Sequence, residues 1–423
     1  MKRLVFACLL LTGSAWAQDL LIRHATVHTV GARGTLANAD VLVQGGVIRA
    51  IGANLLAPAG VHSIDAGGKP LTPGLFAGLN DIGLEEVSAE ASTVDSSLAL
   101  GGNGQPPQVR PEFDVTLAFN PHSILIPIER LDGLTFTALT ANSTTGGSLL
   151  AGQGGVERLD GGFEGPIGGR RLLYANIGSG ADSLSGSSRA AQYMLLDQAF
   201  REARGLTPYG SPYAMLTPAG RETLAKYLLA GRIVINVERA ADIRQVLAFC
   251  AKNGLHPVIV GASEGWEVAA QLKAANATVF VDPLQNLPSS FDQLGSRLDN
   301  AALLHKAGVR VAIYRSDDPT QNARKIRQAA GNAVANGLPW DTALAAITAV
   351  PADALGVGDQ VGRIEVGKLA DLVLWSGDPL EVTSVPDQVW MAGKAMPMTS
   401  RQTELRDRYL QEQGPLPRAY STH

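Results

Sequence analysis

Four short runs between residues 232 and 314, RIVINV, HPVIVG, ATVFVD and VRVAIY, are apolar at nearly every position. A strand with one wet face alternates in polarity. A strand that does not alternate is covered on both faces, as in parallel sheets sheathed by helices. Helical patterns at 239–253, 264–275, 298–307 and 320–336 follow these runs. Strand and helix therefore alternate, which predicts an α/β fold with a parallel sheet. Upstream, further strands are predicted near 75–82, 133–140, 148–157 and 171–177. Eight strands with intervening helices predict a (β/α)8 TIM-like barrel over residues 75–360, its site at the carboxyl ends of the strands. The segments 84–130 and 158–170 are rich in Gly and Pro and read as long loops.

The two ends of the chain share a different texture. LLIRHATVHTV, ADVLVQGGVIRAIG and VHSIDAGGKPLT alternate apolar and polar residues and are broken by Gly45-Gly46 and Gly67-Gly68, as hairpins are. Val361 to Lys394 repeats that texture. Residues 18–74 and 361–398 are therefore expected to build one small composite β-sandwich domain, with 399–423 as a polar tail.

Met1-Lys2-Arg3, the apolar run Leu4–Leu11 and Ala15-Trp16-Ala17 form the three parts of a secretory signal peptide over residues 1–17. The run is too short to cross a membrane, which takes about 20 residues. A periplasmic or secreted protein without a membrane span is expected. Cleavage removes Cys8 and leaves Cys250 alone, so an internal disulfide is excluded. With 35 basic and 39 acidic residues before Lys2 and Arg3 are lost, and no basic block, nucleic acid is not expected as a partner.

ADVLVQGGVIRAIG and IDAGGKPLTPG at the front, SLLAGQGGVERLDG and ALAAITAVPADALGV in the middle, and GRIEVGKLADLVLWSGDPL at the back together resemble the amidohydrolase superfamily. The texture is most similar to its imidazolonepropionase-like periplasmic members. That resemblance implies hydrolysis of C–N bonds in small amides, cyclic amides or short peptides, and allows a homo-oligomer. It also implies one or two divalent metals, held by histidines on strands one, five and six, a carboxylate or modified lysine on strand four, and an aspartate on strand eight. The metal would supply hydroxide at neutral pH. Here Leu79 and Asp81 stand where the first pair of histidines belongs. Leu172 to Gly178 holds no lysine, glutamate or cysteine; Asn236 and Gly261 replace the other histidines, and Asp317 or Asp318 fills the aspartate position. None of the seven histidines forms an H-x-H pair, so histidine-ligated zinc is not expected.

Two kinds of site remain. Asp81, Glu238 and Asp317 are the candidate catalytic carboxylates, and Asp81 with Asp317 would hold one divalent cation through oxygen. Asn80, Asn236 and Glu264 are the candidate substrate-binding residues. Gly261-Ala262-Ser263-Glu264-Gly265 matches a serine nucleophile elbow but lacks a histidine partner. The remaining alternative is a catalytically inactive binding protein on the same scaffold.

Overall fold

The computed structural model describes residues 19–100, 109–208 and 210–410. The expected signal peptide, residues 1–17, and the last part of the expected tail lie outside them. The chain opens with β1 (Leu20–His28), β2 (Thr35–Gln44), β3 (Val47–Gly52), β4 (His62–Asp65) and β5 (Pro70–Pro73). The β2–β3 hairpin turns on Gly45 and Gly46, both at positive φ, as a two-residue type I′ turn requires. The alternating strands of the middle are β6 (Leu75–Asn80), β7 (Leu134–Leu139), β8 (Leu150–Gly154), β9 (Val156–Arg158), β10 (Leu172–Asn176), β11 (Arg232–Val237), β12 (His256–Gly261), β13 (Thr278–Val281) and β14 (Arg310–Ile313). At the back come β15 (Leu372–Trp375), β16 (Pro386–Met391) and β17 (Lys394–Ala395).

Strands from both ends of the chain form one sheet, in the order β17-β16-β15-β5-β1-β2-β3, with β4 joined to β1. This is a single sheet and not two stacked ones. Val47 at its β3 edge bridges to Leu369, just before β15, so the sheet curves around one apolar core that includes Ile22, Val41, Ile48, Leu71, Ile364 and Leu372.

Every expected middle strand forms, and β10 to β14 pair in parallel in sequence order. The helices Ala240–Asn253 and Asn300–Lys306 fall where the pattern put them. Arg189–Ala203 and Pro218–Ala230 are further helices of this middle part. The third strand departs from the all-parallel expectation. It is split into β8, antiparallel to β10, and β9, antiparallel to β7. The connection from β7 is too short for the dozen or so residues of a parallel crossover, so the chain doubles back. Gly154 permits the switch, because a Cβ there would lie 2.0 Å from the Leu139 carbonyl oxygen. The Leu139 amide then donates to the Gly155 carbonyl at 2.8 Å. The result is a mixed α/β fold with β6-β7-β9 and β8-β10-β11-β12-β13-β14 as two ladders. Phe76, Phe136 and Phe280, from three of these strands, are fully buried against one another, with ring centres 5.3 and 6.1 Å apart.

Candidate functional site

A cavity of about 350 Å³ opens where β6, β7, β10, β11, β12 and β14 end. Side chains alternate along a strand, and that period selects much of the lining: Val234 and Asn236 lie on β11 with Glu238 just past it, Tyr174 and Asn176 lie on β10, and Tyr314 and Ser316 follow β14. Leu79, Asn80 and Asp81 enter together because Gly78, at φ +105, breaks the regular pairing of β6 with β7.

Asp81 is 8 % exposed. Its Oδ1 accepts from Thr140 Oγ1 at 2.6 Å and its Oδ2 from Asn142 Nδ2 at 2.7 Å, while its amide donates to Thr320 Oγ1. Burial pushes the carboxyl above the ordinary carboxylate range, against these hydrogen bonds. Asn80 lines the cavity with its polar groups already used: Nδ2 donates to the Ala77 carbonyl, and Oδ1 accepts from Thr137 Oγ1 and the Ile82 amide. That bonding fixes the β6 turn and leaves the amide little capacity for a ligand. Asn236 is different. It is exposed to the cavity, and no side-chain hydrogen bond reaches it among the described residues.

Glu238 Oε2 accepts from the Ser263 amide at 3.0 Å and from its Oγ at 2.6 Å. Ser263 therefore serves a carboxylate, and no histidine bonds to it among the described residues. The Glu238 carboxylate occupies the space above Gly261, where an added Cβ would meet Oε1 at 2.5 Å. A side chain at the end of β12 and Glu238 in its present place exclude each other.

Two other expected residues fall elsewhere. Glu264 does not line the cavity; its Oε2 accepts from the Ala240 amide at 3.0 Å and its Oε1 from the Gly295 amide at 3.2 Å. It satisfies the start of the helix Ala240–Asn253. Asp317 is 82 % exposed and lies 3.8 Å from Arg315, outside the lining. β14 has ended at Ile313, and Asp318, also exposed, turns the chain at φ +44. Tyr314 takes the strand-end position instead.

Tyr174, Asn176, Tyr314 and Arg315 also line the cavity, beyond the residues expected from the sequence. The parity already visible in Asn236 and Glu238 would have found the first three. The Tyr174 hydroxyl is buried without a hydrogen-bond partner, and burial raises the pKa of both phenols. Arg315 is 11 % exposed, its Nε makes no hydrogen bond, and Asp282 lies 3.9 Å away. Among the described residues, no three His, Cys, Asp or Glu side chains come together in a way that could hold a metal ion.

Residues 223–396 match the family model described as "Amidohydrolase family". That stretch, less than half of the chain, is similar to the amidohydrolase family. Its curated relatives include amidohydrolase tasK of Hapsidospora irregularis, 46% identical over 83 residues, and the imidazolonepropionase of Acidiphilium cryptum, 32% identical over 117 residues. Those matches cover 20% and 27% of this chain and only 8% and 28% of the relatives' own lengths. A solved amidohydrolase from Thermotoga maritima superposes with a TM-score of 0.76 at 24% identity, over 90% of this chain and all of that one. That likeness fixes the fold and leaves the chemistry to the chain's own residues. No helix among the described residues is long and apolar enough to cross a membrane.

Proposed function

We propose that the protein is an exported hydrolase of small amides or short peptides. It would cleave a C–N bond in the cavity at the strand ends, with Asp81 and Glu238 doing acid–base work in place of a histidine-held metal. The barrel of residues 75–360 would close around this cavity beside a composite domain made of residues 18–74 and 361–398. The single observation that carries the reading is that both carboxylates line one cavity, with Asp81 raised by burial.

The donor set does not fit the family's metal. Leu79 and Gly261 offer no lone pair, Asn236 is a weak neutral donor, Asp317 faces solvent, and Arg315 adds a positive charge to the wall. No step is therefore routed through a metal. Glu238 takes a proton from water as the resulting hydroxide adds to the amide carbon. Protonated Asp81 gives its proton to the leaving nitrogen as the C–N bond breaks, and proton exchange with water then resets both groups. Asn236, with its amide free, donates to the oxyanion.

The test is hydrolysis of dipeptides and cyclic amides by the mature chain, before and after dialysis against chelator. Asp81→Asn and Glu238→Gln should each lower kcat by about 10²–10⁴-fold. Loss of activity as pH rises through the Asp81 pKa should disappear in Asp81→Asn. Metal-dependent turnover, or turnover indifferent to both substitutions, would overturn the reading. The second reading, an inactive binding protein, is favoured by the substituted strand ends. Saturable binding of amides without turnover would establish it.

A further inference from the structure

We propose that the opposite, amino end of the strands carries a second binding site, one that takes a soluble phosphate or phosphate ester. A separate cavity of about 580 Å³ lies there, lined by Arg170, Arg171, Lys226 and Arg232 with Asp114 as its acidic member. It is formed by residues preceding β10 and β11, so it shares no lining with the carboxyl-end cavity.

Charge in this cavity is unbalanced. Arg171 Nε uses Asp114, at 2.7 Å. Arg170 reaches only Asp359, at 3.4 Å and on the surface. Arg232 is half-buried and has no hydrogen bond or ion pair among the described residues. Glu157, the buried carboxyl beside Arg171, is pushed up to about 8 and so brings no negative charge at neutral pH.

The two guanidinium groups are also packed together. A Cβ at Gly356 would lie 2.8 Å from Arg232 Nη1 and 3.3 Å from Arg170 Nη1, so the two nitrogens cannot be farther apart than those distances combined. Gly356 has φ +85, and its missing side chain is what lets both groups reach the backbone. Arg310, which begins β14, adds to the positive field at Arg232. Burial lowers the Arg232 pKa, and Arg170 and Arg310 lower it further, as like charges do. An unpaired, partly desolvated guanidinium beside a second one is costly in isolation. It is favourable around an oxyanion that accepts forked hydrogen bonds. The recess exceeds the size of a bare phosphate and leaves room for its ester group.

The experiment is calorimetric titration of the mature full chain with inorganic phosphate and with pyrophosphate, at fixed ionic strength and neutral pH. Saturable binding is expected, weakened about tenfold or more by Arg232→Gln and by Lys226→Gln, and unchanged by Arg406→Gln in the exposed tail helix. If Arg232→Gln does not fold, Arg170→Gln and Lys226→Gln carry the test, since both side chains are exposed. A response equal to that of matched chloride, or one that survives all three substitutions, would overturn the site. So would binding to anionic phospholipid vesicles that free phosphate fails to compete away, since the ligand would then be a membrane headgroup. Amide hydrolysis plays no part in this readout, so the two proposals fail separately.

Discussion

The two ends of one set of strands handle charge in opposite ways. At the carboxyl end, Asp81 and Glu238 are held by the hydroxyls of Thr140 and Ser263 and the amide of Asn142. At the amino end, Arg232 and Arg170 crowd Gly356 with little to neutralise them. A hydrogen-bonded carboxylate is already satisfied and is positioned by its neighbours. An unpaired cation is unsatisfied until something anionic arrives. The difference teaches that preorganisation and ligand demand are separate signs of a site, and that this molecule displays one at each end.

The aromatic middle supports both ends, and removing it should hurt both. Phe76→Ala deletes a fully buried ring packed on Phe136 and Phe280, and should cost about 3–5 kcal/mol in urea unfolding. Phosphate binding and amide turnover should weaken together. Loss at one end alone would mean that the two ends do not share this core.

Gly261→His sharpens the comparison by attacking only the carboxyl end. The residue sits at φ +91 with the Glu238 carboxylate in the path of any Cβ, so backbone strain of about 1–3 kcal/mol is expected. Glu238 must also leave Ser263, and turnover should collapse while phosphate affinity holds. A variant that instead gains activity with zinc would show that the pocket still accommodates the family's metal.

Glu157→Gln probes the amino end through pH. The folded-state pKa of Glu157, about 8, lies above its ordinary value of 4.5. Between those values the native state holds a proton that the unfolded chain has lost, so this group makes stability fall as pH rises through that window. The glutamine variant should lose that part of the slope when unfolding is measured at pH 5 and pH 8. Wild-type phosphate affinity should also drop above pH 8, as a new negative charge appears beside Arg171. A wild-type slope identical to that of the variant would remove the argument that Glu157 is neutral at pH 7.

The fold was legible where burial is two-sided. RIVINV to VRVAIY became β11 to β14 because continuous apolar runs carry no ambiguity about covered faces. The direction of the third strand was not, since an antiparallel strand buried on both sides reads the same as a parallel one. At the site, the two-residue period puts Asn236 and Glu238 on one face, and both line the cavity. Nearness to a strand end misplaced Glu264, whose oxygens were taken by the backbone amides of Ala240 and Gly295. Tyr174 and Tyr314 carry no such signal, because an aromatic residue on a buried strand is usually core, and only the walls of the cavity distinguish the two roles.

The smallest effect is expected where sequence position alone suggested a large one. Asp317 follows β14 by a few residues, yet the chain has already turned outward at 82 % exposure, with Arg315 at 3.8 Å as its nearest ion-pair partner. Exposed pairs of this kind contribute little. Asp317→Asn should therefore leave urea stability within about 0.5 kcal/mol and turnover within about twofold, as surface substitutions do. Arg315 keeps Asp282 at 3.9 Å and stays in the cavity wall. A loss of turnover as deep as that of Glu238→Gln would require Asp317 to swing inward when substrate binds. The carboxyl end would then, like the amino end, be completed only by its ligand, and the contrast between the two ends would vanish.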